Sequence, residues 1–395
     1  MINFLYDLTA TQPTPDSKFH GGGTYAEIVF FQLLKQSNVN NIKIHAVYDS
    51  SRYINKKILE EAAHYNIEVF DLQKKNPESI FDKVKINRFY SALLDESIPW
   101  PVGKCEVITT VHGLRSLEMP LDKIAFKYET NLKEKIKTFI KLYILSEKYF
   151  LKVKKGYSRF FSGKMKIVTV SQHSKASILS FFPVMKNTDI KVFSSPTFEQ
   201  LDNFKPECAD FNIISQSFGI QRKKYFLITS SARWIKNAMR AVQAFDSLFK
   251  DGFASDFQVV MTGVNKKAIF EKVIHNKNKF IMLDYVERDA LESLHKNSYA
   301  FIYPSLNEGF GYPPIEAMKY KIPVAASGTS SIPEVCGDAV LYFDPYSINE
   351  IKNRIIQLLS KENYEKYSGK AFSQYESVSK KQKKDLHDFI EYLIQ

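Results

Sequence analysis

The chain has 395 residues, of which 44% are hydrophobic and 25% are charged, and its formal net charge is +12. At about 150 residues per domain, this length predicts two or three domains, and the composition excludes a disordered or fibrous protein. No apolar run reaches the ~18 residues that a membrane-spanning helix needs, and the first residues lack the basic and apolar regions of a secretory signal. We therefore expect a cytoplasmic protein that is neither secreted nor integral to a membrane.

The cysteine content supports the same compartment. Cys105, Cys208 and Cys336 are odd in number and far apart, and no Cys-x-x-Cys pair occurs. This spacing indicates neither a disulfide framework nor a zinc site, and it fits a reducing cytosol.

Strand-like and helix-like segments alternate in chain order through the first half. Short segments rich in β-branched residues predict five strands, and amphipathic patterns predict helices between them. The predicted strands are INFLYDLT, IKIHAVYD, IEVFDL, EVITTVH and KIVTVS, and the helices include YAEIVFFQLLKQ and KKILEEAAHY.

Positive charge is concentrated in one segment of this half. Residues 121–166 contain thirteen Lys or Arg against four Asp or Glu, which predicts a contact surface for phosphates of lipid or nucleic acid. Apolar residues recur there at helical spacing, namely Leu132, Ile136, Phe139, Ile140, Tyr143, Ile144 and Phe150. Two interpretations remain open: a helical hairpin packed on the N-terminal domain with a solvated lysine face, or amphipathic helices that rest on an anionic membrane.

The second half repeats the alternation. Six further strands are predicted at KYFLITS, FQVVMTG, KFIMLDYV, YAFIYPS, KIPVAAS and AVLYFDP. Strands that alternate with helices at this spacing form parallel sheets through right-handed crossovers. We expect an α/β protein of two Rossmann-like domains with parallel sheets, which face each other across an inter-domain cleft. The predicted ranges are 1–205, including the basic helical segment 121–166, then 206–375, and a closing helix at 376–395.

Two loops at predicted strand ends could bind phosphate. Gly21, Gly22 and Gly23 precede a helix, where backbone amides favour an anion, although such loops are often only flexible connectors. Arg233 and Lys236 follow the strand KYFLITS and could clamp a diphosphate, or could simply be solvated side chains.

Two other loops carry groups suited to a sugar. In PSLNEGFGYPPIEAM, Gly309 and Gly311 can expose amides, and Glu308 and Glu316 can each accept hydrogen bonds from vicinal hydroxyls. Glu316 could instead only complement the helix dipole. His112 ends the strand EVITTVH and is either structural or part of a site.

At these residues the sequence resembles the retaining GT-B glycosyltransferases of family GT4. The resemblance rests on EGFGYPPIEAM, a Glu-x7-Glu motif, together with PSLNEGFG and PVAASGTSSIPEVCGDAVLYFDP. RWIKNAMRAVQAF is similar to the phosphate loop of the family, and TTVHG and VTVSQHSKASIL are similar to its N-domain strand ends. The sequence departs from the family at SSARW, where a Gly-Arg pair is usual, and at SSPTFE, where an Asn-Gly turn is common.

The resemblance implies the GT-B fold, with an acceptor-binding first domain and a nucleotide-sugar-binding second domain. It implies that Glu308 contacts the sugar hydroxyls of the donor, that Glu316 contacts the ribose, and that Arg233 and Lys236 hold the diphosphate. His112 would lie beside the transferred sugar. The other implied donor-binding residues are Gly21, Gly22, Gly23, Tyr285, Val286, Gly309, Phe310 and Gly311.

The function expected from this resemblance is retaining hexosyl transfer from a UDP- or GDP-linked sugar to a hydroxyl. The acceptor would be a saccharide or a polyprenyl-linked saccharide, in bacterial surface polysaccharide, lipopolysaccharide or glycan synthesis, on the inner face of the cytoplasmic membrane. The chain contains no Asp-x-Asp sequence, so we expect no metal and no other cofactor. Two alternatives remain: a nucleotide-sugar epimerase or sugar phosphorylase on the same scaffold, and a non-catalytic basic protein that binds a membrane or nucleic acid. The basic segment lacks the motifs of RNA-binding modules, so no nucleic-acid partner is expected.

Overall fold

The computed structural model describes residues 2–13, 21–36, 42–119, 121–161, 165–201 and 208–395. The chain divides into two compact units. The first contains Met1–Leu114, Lys154–Lys205 and Lys380–Gln395, and the second contains Arg115–Val153 and Pro206–Ser379. The boundary predicted between residues 205 and 206 lies outside the described residues.

The first unit is built on a seven-stranded sheet in the order β3-β2-β1-β4-β5-β6-β7, and all six strand pairs are parallel. The sheet has its order reversal between β1 and β4. Its strands are β1 (Ile2–Asp7), β2 (Ile42–Tyr48), β3 (Glu68–Asp71), β4 (Arg88–Ser91), β5 (Glu106–Val111), β6 (Lys166–Thr169) and β7 (Ile190–Val192). The five predicted strands are present, and β4 and β7 are additions that the sequence analysis did not include.

The second unit is built on a six-stranded parallel sheet in the order β10-β9-β8-β11-β12-β13. Every residue of β8 and β11 is buried, as expected for a parallel sheet that helices cover on both faces. The strands are β8 (Tyr225–Ile228), β9 (Gln258–Met261), β10 (Phe280–Met282), β11 (Ala300–Tyr303), β12 (Val324–Ser327) and β13 (Leu341–Phe343). All six correspond to predicted strands, so the expected architecture of two parallel α/β sheets is confirmed.

Helices connect the strands in both units. Helices α1 to α8 are Gly21–Leu34, Lys56–His64, Pro77–Val84, Arg115–Glu118, Ala125–Tyr128, Leu132–Phe139, Ser146–Tyr157 and Gln172–Phe181. Helices α9 to α16 are Phe211–Phe218, Ala238–Lys250, Lys267–Glu271, Arg288–Asn297, Tyr312–Met318, Ile332–Cys336, Ile348–Leu359 and Lys361–Ile394. In the part of the chain that the structure describes, no helix combines the length and apolarity needed to cross a membrane.

The segment 115–153 is placed differently from the prediction, which assigned all of 121–166 to the first domain. Ile124 and Tyr128 join the hydrophobic core of the second unit. The Tyr128 hydroxyl also accepts a hydrogen bond of 3.2 Å from the backbone N–H of Met239, at the start of α10. These contacts explain why the segment groups with the second unit, although it follows a strand of the first.

The terminal helix also differs from the predicted range 376–395, because α16 begins at Lys361. Its residues from Lys380 onwards belong to the first unit. There Phe389 packs against the rings of Tyr90 and Phe193, at centroid distances of 5.6 and 5.2 Å. The closing helix is therefore part of the core of the first unit and not an external cap.

Candidate active site

The candidate site lies at the order reversal of the second sheet. Strands β8 and β11 are neighbours there, although the chain visits β9 and β10 between them. In open α/β sheets, ligands bind beyond the carboxyl ends of the strands at such a reversal, because the two following loops diverge to opposite faces. The loops that follow β8 and β11 carry the predicted pair Lys236 and Glu308.

Asn237 holds these two loops together. It is fully buried, and its positive φ of 57° lies in the left-handed region that Asn tolerates better than most residues. Its Nδ2 donates to the carbonyls of Pro304 (3.0 Å) and Pro345 (2.8 Å). The Leu306 N–H donates to the Ile235 carbonyl at 2.9 Å. The β8 loop is thus fastened to the loops after β11 and β13.

Glu308 and Lys236 form a mostly buried ion pair in which each side chain is 11% exposed. Lys236 Nζ lies 2.6 Å from Glu308 Oε1 and also donates to the Tyr303 hydroxyl at 3.1 Å. Oε1 accepts two further hydrogen bonds, from Tyr303 (2.7 Å) and from Ser305 (2.5 Å). All these donors converge on one carboxylate oxygen, so the other oxygen, Oε2, can accept from a ligand.

The carboxylate of Glu308 is ionised. Burial by itself raises its pKa, but the positive charges of Lys236 and Arg115 and the hydrogen bond from Ser305 lower that pKa to about 2. Burial lowers the pKa of Lys236, and the charges of Arg233 and Arg115 act in the same direction. Two cations, Lys236 and Arg115, therefore act on one buried carboxylate, and Arg233 acts on Lys236, so positive charge gathers in an environment suited to an anionic ligand.

Glu316, the second glutamate of the predicted motif, lies on α13. This helix begins after Gly311, whose φ is 109°, and carries prolines in its first turn, where a missing N–H costs nothing. The side chain of Glu316 is 37% exposed, and its carboxylate lies 3.9 Å from Nε2 of the buried His295. The charges of both Glu316 and Glu308 act on Tyr303, so the structure brings the two predicted glutamates to one region.

The other predicted residues of the second unit lie at the same carboxyl edge of the sheet. Arg233 is exposed immediately before the 3₁₀ turn Trp234–Lys236. Gly309 and Gly311 flank the buried Phe310, which packs on Tyr312 at 5.5 Å. Tyr285 and Val286 follow β10, three strands away from β11, and the Tyr285 side chain is 57% exposed.

The predicted residues of the first unit, Gly21 to Gly23 and His112, lie at carboxyl ends of its own sheet. The three glycines form the start of α1, where a Cβ on Gly22 would lie only 2.6 Å from Leu93 Cδ1. His112 follows β5, and its Nε2 lies 3.1 Å from the Ala92 carbonyl. Its ring meets that of Tyr25 edge-on at 4.8 Å. These contacts orient His112, and the role of these four residues toward a donor stays a prediction.

Sequence reasoning missed Arg115 and Tyr303. Tyr303 is the last residue of β11 and, like other strand residues, gives no local signal of a site. Arg115 comes only three positions after the predicted His112, in the same strand-end loop of the sequence. Its position beside His112 could have indicated a role in the site. Its proximity to Glu308 could not be predicted, because the two residues are almost two hundred positions apart in the sequence and only the fold brings them together.

The second unit is similar in sequence to known proteins. Residues 210–374 match the family model described as glycosyl transferases group 1. The chain is 26% identical over 203 residues to O-antigen chain mannosyltransferase B of Escherichia coli, which covers 50% of this chain and 52% of that protein. It is 29% identical over 141 residues to O-antigen chain mannosyltransferase RfbU of Salmonella typhimurium, with coverage of 34% and 39%. The chain thus spans about half, or less, of the length of these curated relatives.

Among solved structures, Anabaena Alr3699/HepE in complex with UDP and glucose is similar at a TM-score of 0.68. Sequence identity is 11%, and the match covers 100% of this chain and 99% of that one. Two Rossmann-like units with parallel sheets, and this likeness, define a protein of the GT-B fold. Its residues 210–374 match the glycosyl transferases group 1 family, in agreement with the family resemblance of the sequence.

Proposed function

We propose that this protein is a glycosyltransferase that moves a hexose from a nucleotide diphosphate sugar to a hydroxyl of a saccharide or lipid-linked acceptor. The observation that carries the proposal is the buried Lys236–Glu308 pair at the order reversal of a sheet whose sequence matches the group 1 family. The pair combines a cation for phosphate with an ionised carboxylate for hydroxyl groups.

The relatives suggest which sugar is transferred and which biosynthetic product receives it. Both curated relatives described above are O-antigen mannosyltransferases, so we propose mannose as the transferred sugar and bacterial surface polysaccharide as the product. The HepE structure contains UDP and glucose, which supports a nucleotide-linked hexose as the class of donor. A UDP- or GDP-linked donor fits the exposed aromatic ring of Tyr285, on which a base can stack.

In the proposed reaction, the bond between the anomeric carbon and the diphosphate oxygen breaks as the acceptor hydroxyl attacks the same face. The departing phosphate oxygen takes the proton of that hydroxyl, and the anomeric configuration is retained. Negative charge develops on the diphosphate, where preorganised cations lower the barrier. Arg233 and Lys236 supply positive charge there, and Oε2 of Glu308 holds a donor hydroxyl. We propose that these cations act without a metal ion.

The test is release of nucleoside diphosphate from GDP-mannose, UDP-glucose and related donors, with and without a saccharide acceptor. Release that depends on acceptor supports transfer, whereas conversion of the donor into its epimer without release of nucleoside diphosphate favours the epimerase alternative. The product anomer, read by NMR, tests retention, and activity that survives EDTA tests metal independence.

Glu308→Gln tests whether the Glu308 carboxylate is needed for sugar transfer. We expect a loss of kcat of at least ~10²-fold, the size seen when one preorganised group is removed. Glu271→Gln is the control, because Glu271 is an exposed residue of α11 in the same unit. Full activity of Glu308→Gln would contradict the proposed site.

The acceptor side of the proposal concerns helices α6 and α7 and the helical residues Ile140–Ile144 between them. Exposed large apolar side chains, including Leu132 (71%), Ile144 (64%) and Leu151 (61%), lie among the lysines of this segment. Apolar side chains that enter the lipid interface beside cations that attract anionic headgroups are the features of an interfacial helix. We therefore propose that this segment rests on the inner face of the cytoplasmic membrane, where a polyprenyl-linked acceptor would be presented.

A further inference from the structure

We infer that Arg115 is a further cation for the leaving diphosphate of the donor, in addition to Arg233 and Lys236, and that it is supplied from the segment after β5 and not by the loop after β8. The inference rests on the proposed function and deepens it, because it names a phosphate-binding residue that neither the sequence motifs nor the comparisons assign. The guanidinium would contact the diphosphate that departs beside Lys236 and Glu308.

The fold fixes Arg115 beside the candidate site. Arg115 opens the single turn α4, and Glu118 closes that turn. The Glu118 carboxylate accepts a hydrogen bond of 2.6 Å from Asn307 Nδ2, and Asn307 immediately precedes Glu308. One helical turn therefore separates Arg115 from a residue that is anchored to the neighbour of Glu308 in the chain.

A second set of contacts holds the same segment at the start of α10. The Asp122 carboxylate lies 2.9 Å from Arg240 Nη2, and the Tyr128 hydroxyl accepts from the Met239 N–H. The segment is thus attached both to the loop after β11 and to the helix that follows Lys236. Arg115 is not carried on a free loop.

The Arg115 guanidinium is not fully hydrogen-bonded within the described part of the chain. Its Nε is buried, and among the described residues it has no hydrogen-bond partner. A buried donor that lacks an acceptor is costly, and the five N–H groups of Arg match the oxygens of a phosphate in a bidentate manner. Its charge also acts on Glu308, Lys236 and Tyr303, which shows that it lies within electrostatic reach of all three.

The loop after β8 leaves a need for this cation. Lys236 Nζ already donates to Glu308 and Tyr303, so one of its three N–H groups is left for a ligand. Ile235, beside Lys236, is buried in the core of the unit, and Arg233 is exposed. A diphosphate that gains charge as it departs is stabilised by each further preorganised donor, so Arg115 would add to what Lys236 and Arg233 supply.

The experiment compares Arg115→Gln and Arg115→Lys with wild type and with Lys127→Gln. Lys127 is exposed and lies in the same segment, so its loss removes one positive charge without touching the site. Isothermal titration calorimetry would measure binding of UDP, UMP and uridine, and of GDP, GMP and guanosine. For the series that wild type binds, we expect Arg115→Gln to weaken diphosphate binding at least tenfold, monophosphate binding less, and nucleoside binding not at all.

Arg115→Lys keeps the charge but loses the planar fork, so we expect an intermediate loss that is again confined to the phosphate-bearing ligands. This variant also serves if Arg115→Gln fails to fold. Lys127→Gln should bind every ligand as wild type does.

Two outcomes would overturn the inference. Equal weakening of nucleoside and diphosphate binding would assign Arg115 a structural role. Unchanged diphosphate binding would exclude the contact altogether. Failure of wild type to bind any nucleotide would instead contradict the proposed function, so the two failures are distinguishable.

Discussion

Glu308 keeps a negative charge inside the protein because a cation lies 2.6 Å away and three hydrogen bonds converge on one of its oxygens. A buried ion pair of this kind adds little net stability compared with an apolar pair, but the removal of one partner leaves a buried charge that nothing compensates. The arrangement therefore serves binding more than folding, since it holds an ionised carboxylate ready for a ligand.

Lys236→Met tests this interpretation at the level of the single residue. We expect the free energy of unfolding at pH 7 to fall by about 3–5 kcal/mol, because Glu308 loses its counter-charge. The double variant Lys236→Met/Glu308→Gln should recover much of that loss. Urea unfolding measures both effects, and the exposed Lys267→Met is the control.

The difference in unfolding free energy between wild type and Lys236→Met should depend on pH. The folded-state pKa of Glu308, about 2, lies below its ordinary value of 4.5, so the stability that ionised Glu308 contributes is present above pH 4.5. That stability is lost as the pH falls from 4.5 through about 2. The difference between wild type and Lys236→Met should shrink over this range, and a difference that stays constant would contradict the assigned pair.

At the scale of the secondary-structure elements, Asn237 shows how one side chain joins three strand-end loops. We expect Asn237→Gly to cost roughly 1–3 kcal/mol for each carbonyl left unsatisfied, while the backbone keeps its positive φ. Asn237→Ala should cost about 1–2 kcal/mol more, because alanine resists that φ. Thermal or urea unfolding measures both.

Asn66 supplies the matched control for this comparison. It also has a positive φ, 56°, but it is exposed. The difference between Asn66→Ala and Asn66→Gly thus reports the backbone preference alone. If Asn237→Gly were as stable as wild type, the hydrogen bonds to the two proline carbonyls would not hold the loops together.

Helices α6 and α7 permit a second prediction at this scale. We expect the protein to bind vesicles that contain anionic lipid, and we expect this binding to fall as salt is raised, since each lysine near the surface contributes about 1 kcal/mol. Leu132→Ser/Ile136→Ser should weaken the binding that remains at high salt. Co-sedimentation measures the effect, and Val184→Ser, an exposed apolar residue elsewhere, is the control. Binding that does not depend on the anionic lipid content would contradict the proposed contact of α6 and α7 with a membrane.

The elements also show how far sequence reasoning reaches. All six strands of the second sheet could be predicted, because each is a compact, mostly apolar run bounded by polar turns. In the first sheet β4 and β7 were not predicted: β4 begins with the charged Arg88, and the middle residue of β7 is the exposed Lys191. Lys236 and Glu308 could be predicted because each follows a recognisable strand. Their direct pairing could not, because it depends on strand order, which no local pattern encodes.

At the scale of the whole molecule, the last turns of α16 complete the core of the first unit. Phe389 is buried against Tyr90 and Phe193, and Arg88 Nη1 donates to the Leu393 carbonyl at 2.8 Å. We expect Phe389→Ala to destabilise the protein by about 3–5 kcal/mol, as for other large-to-small core changes. Hydrogen exchange should then rise in β1 and β4 but not in β8 and β11.

The exposed Lys384→Ala on the same helix is the control and should leave exchange unchanged. A uniform rise over both sheets in Phe389→Ala would show that the two units unfold as one. The placement of this helix could not be predicted from its charged, amphipathic sequence, which is equally compatible with a solvated cap.

The first unit is assembled from three separate stretches of chain. It therefore begins to form before the second unit is synthesised but is completed only afterwards. The ribosome delivers β1 early, yet residues 380–395 emerge only after the entire second unit has been made. Until then, Tyr90 and Phe193 in the nascent first unit lack their contacts with Phe389, and during this period the chain is most exposed to aggregation and to binding by chaperones. A chain truncated before residue 380 would keep the first unit permanently without these contacts.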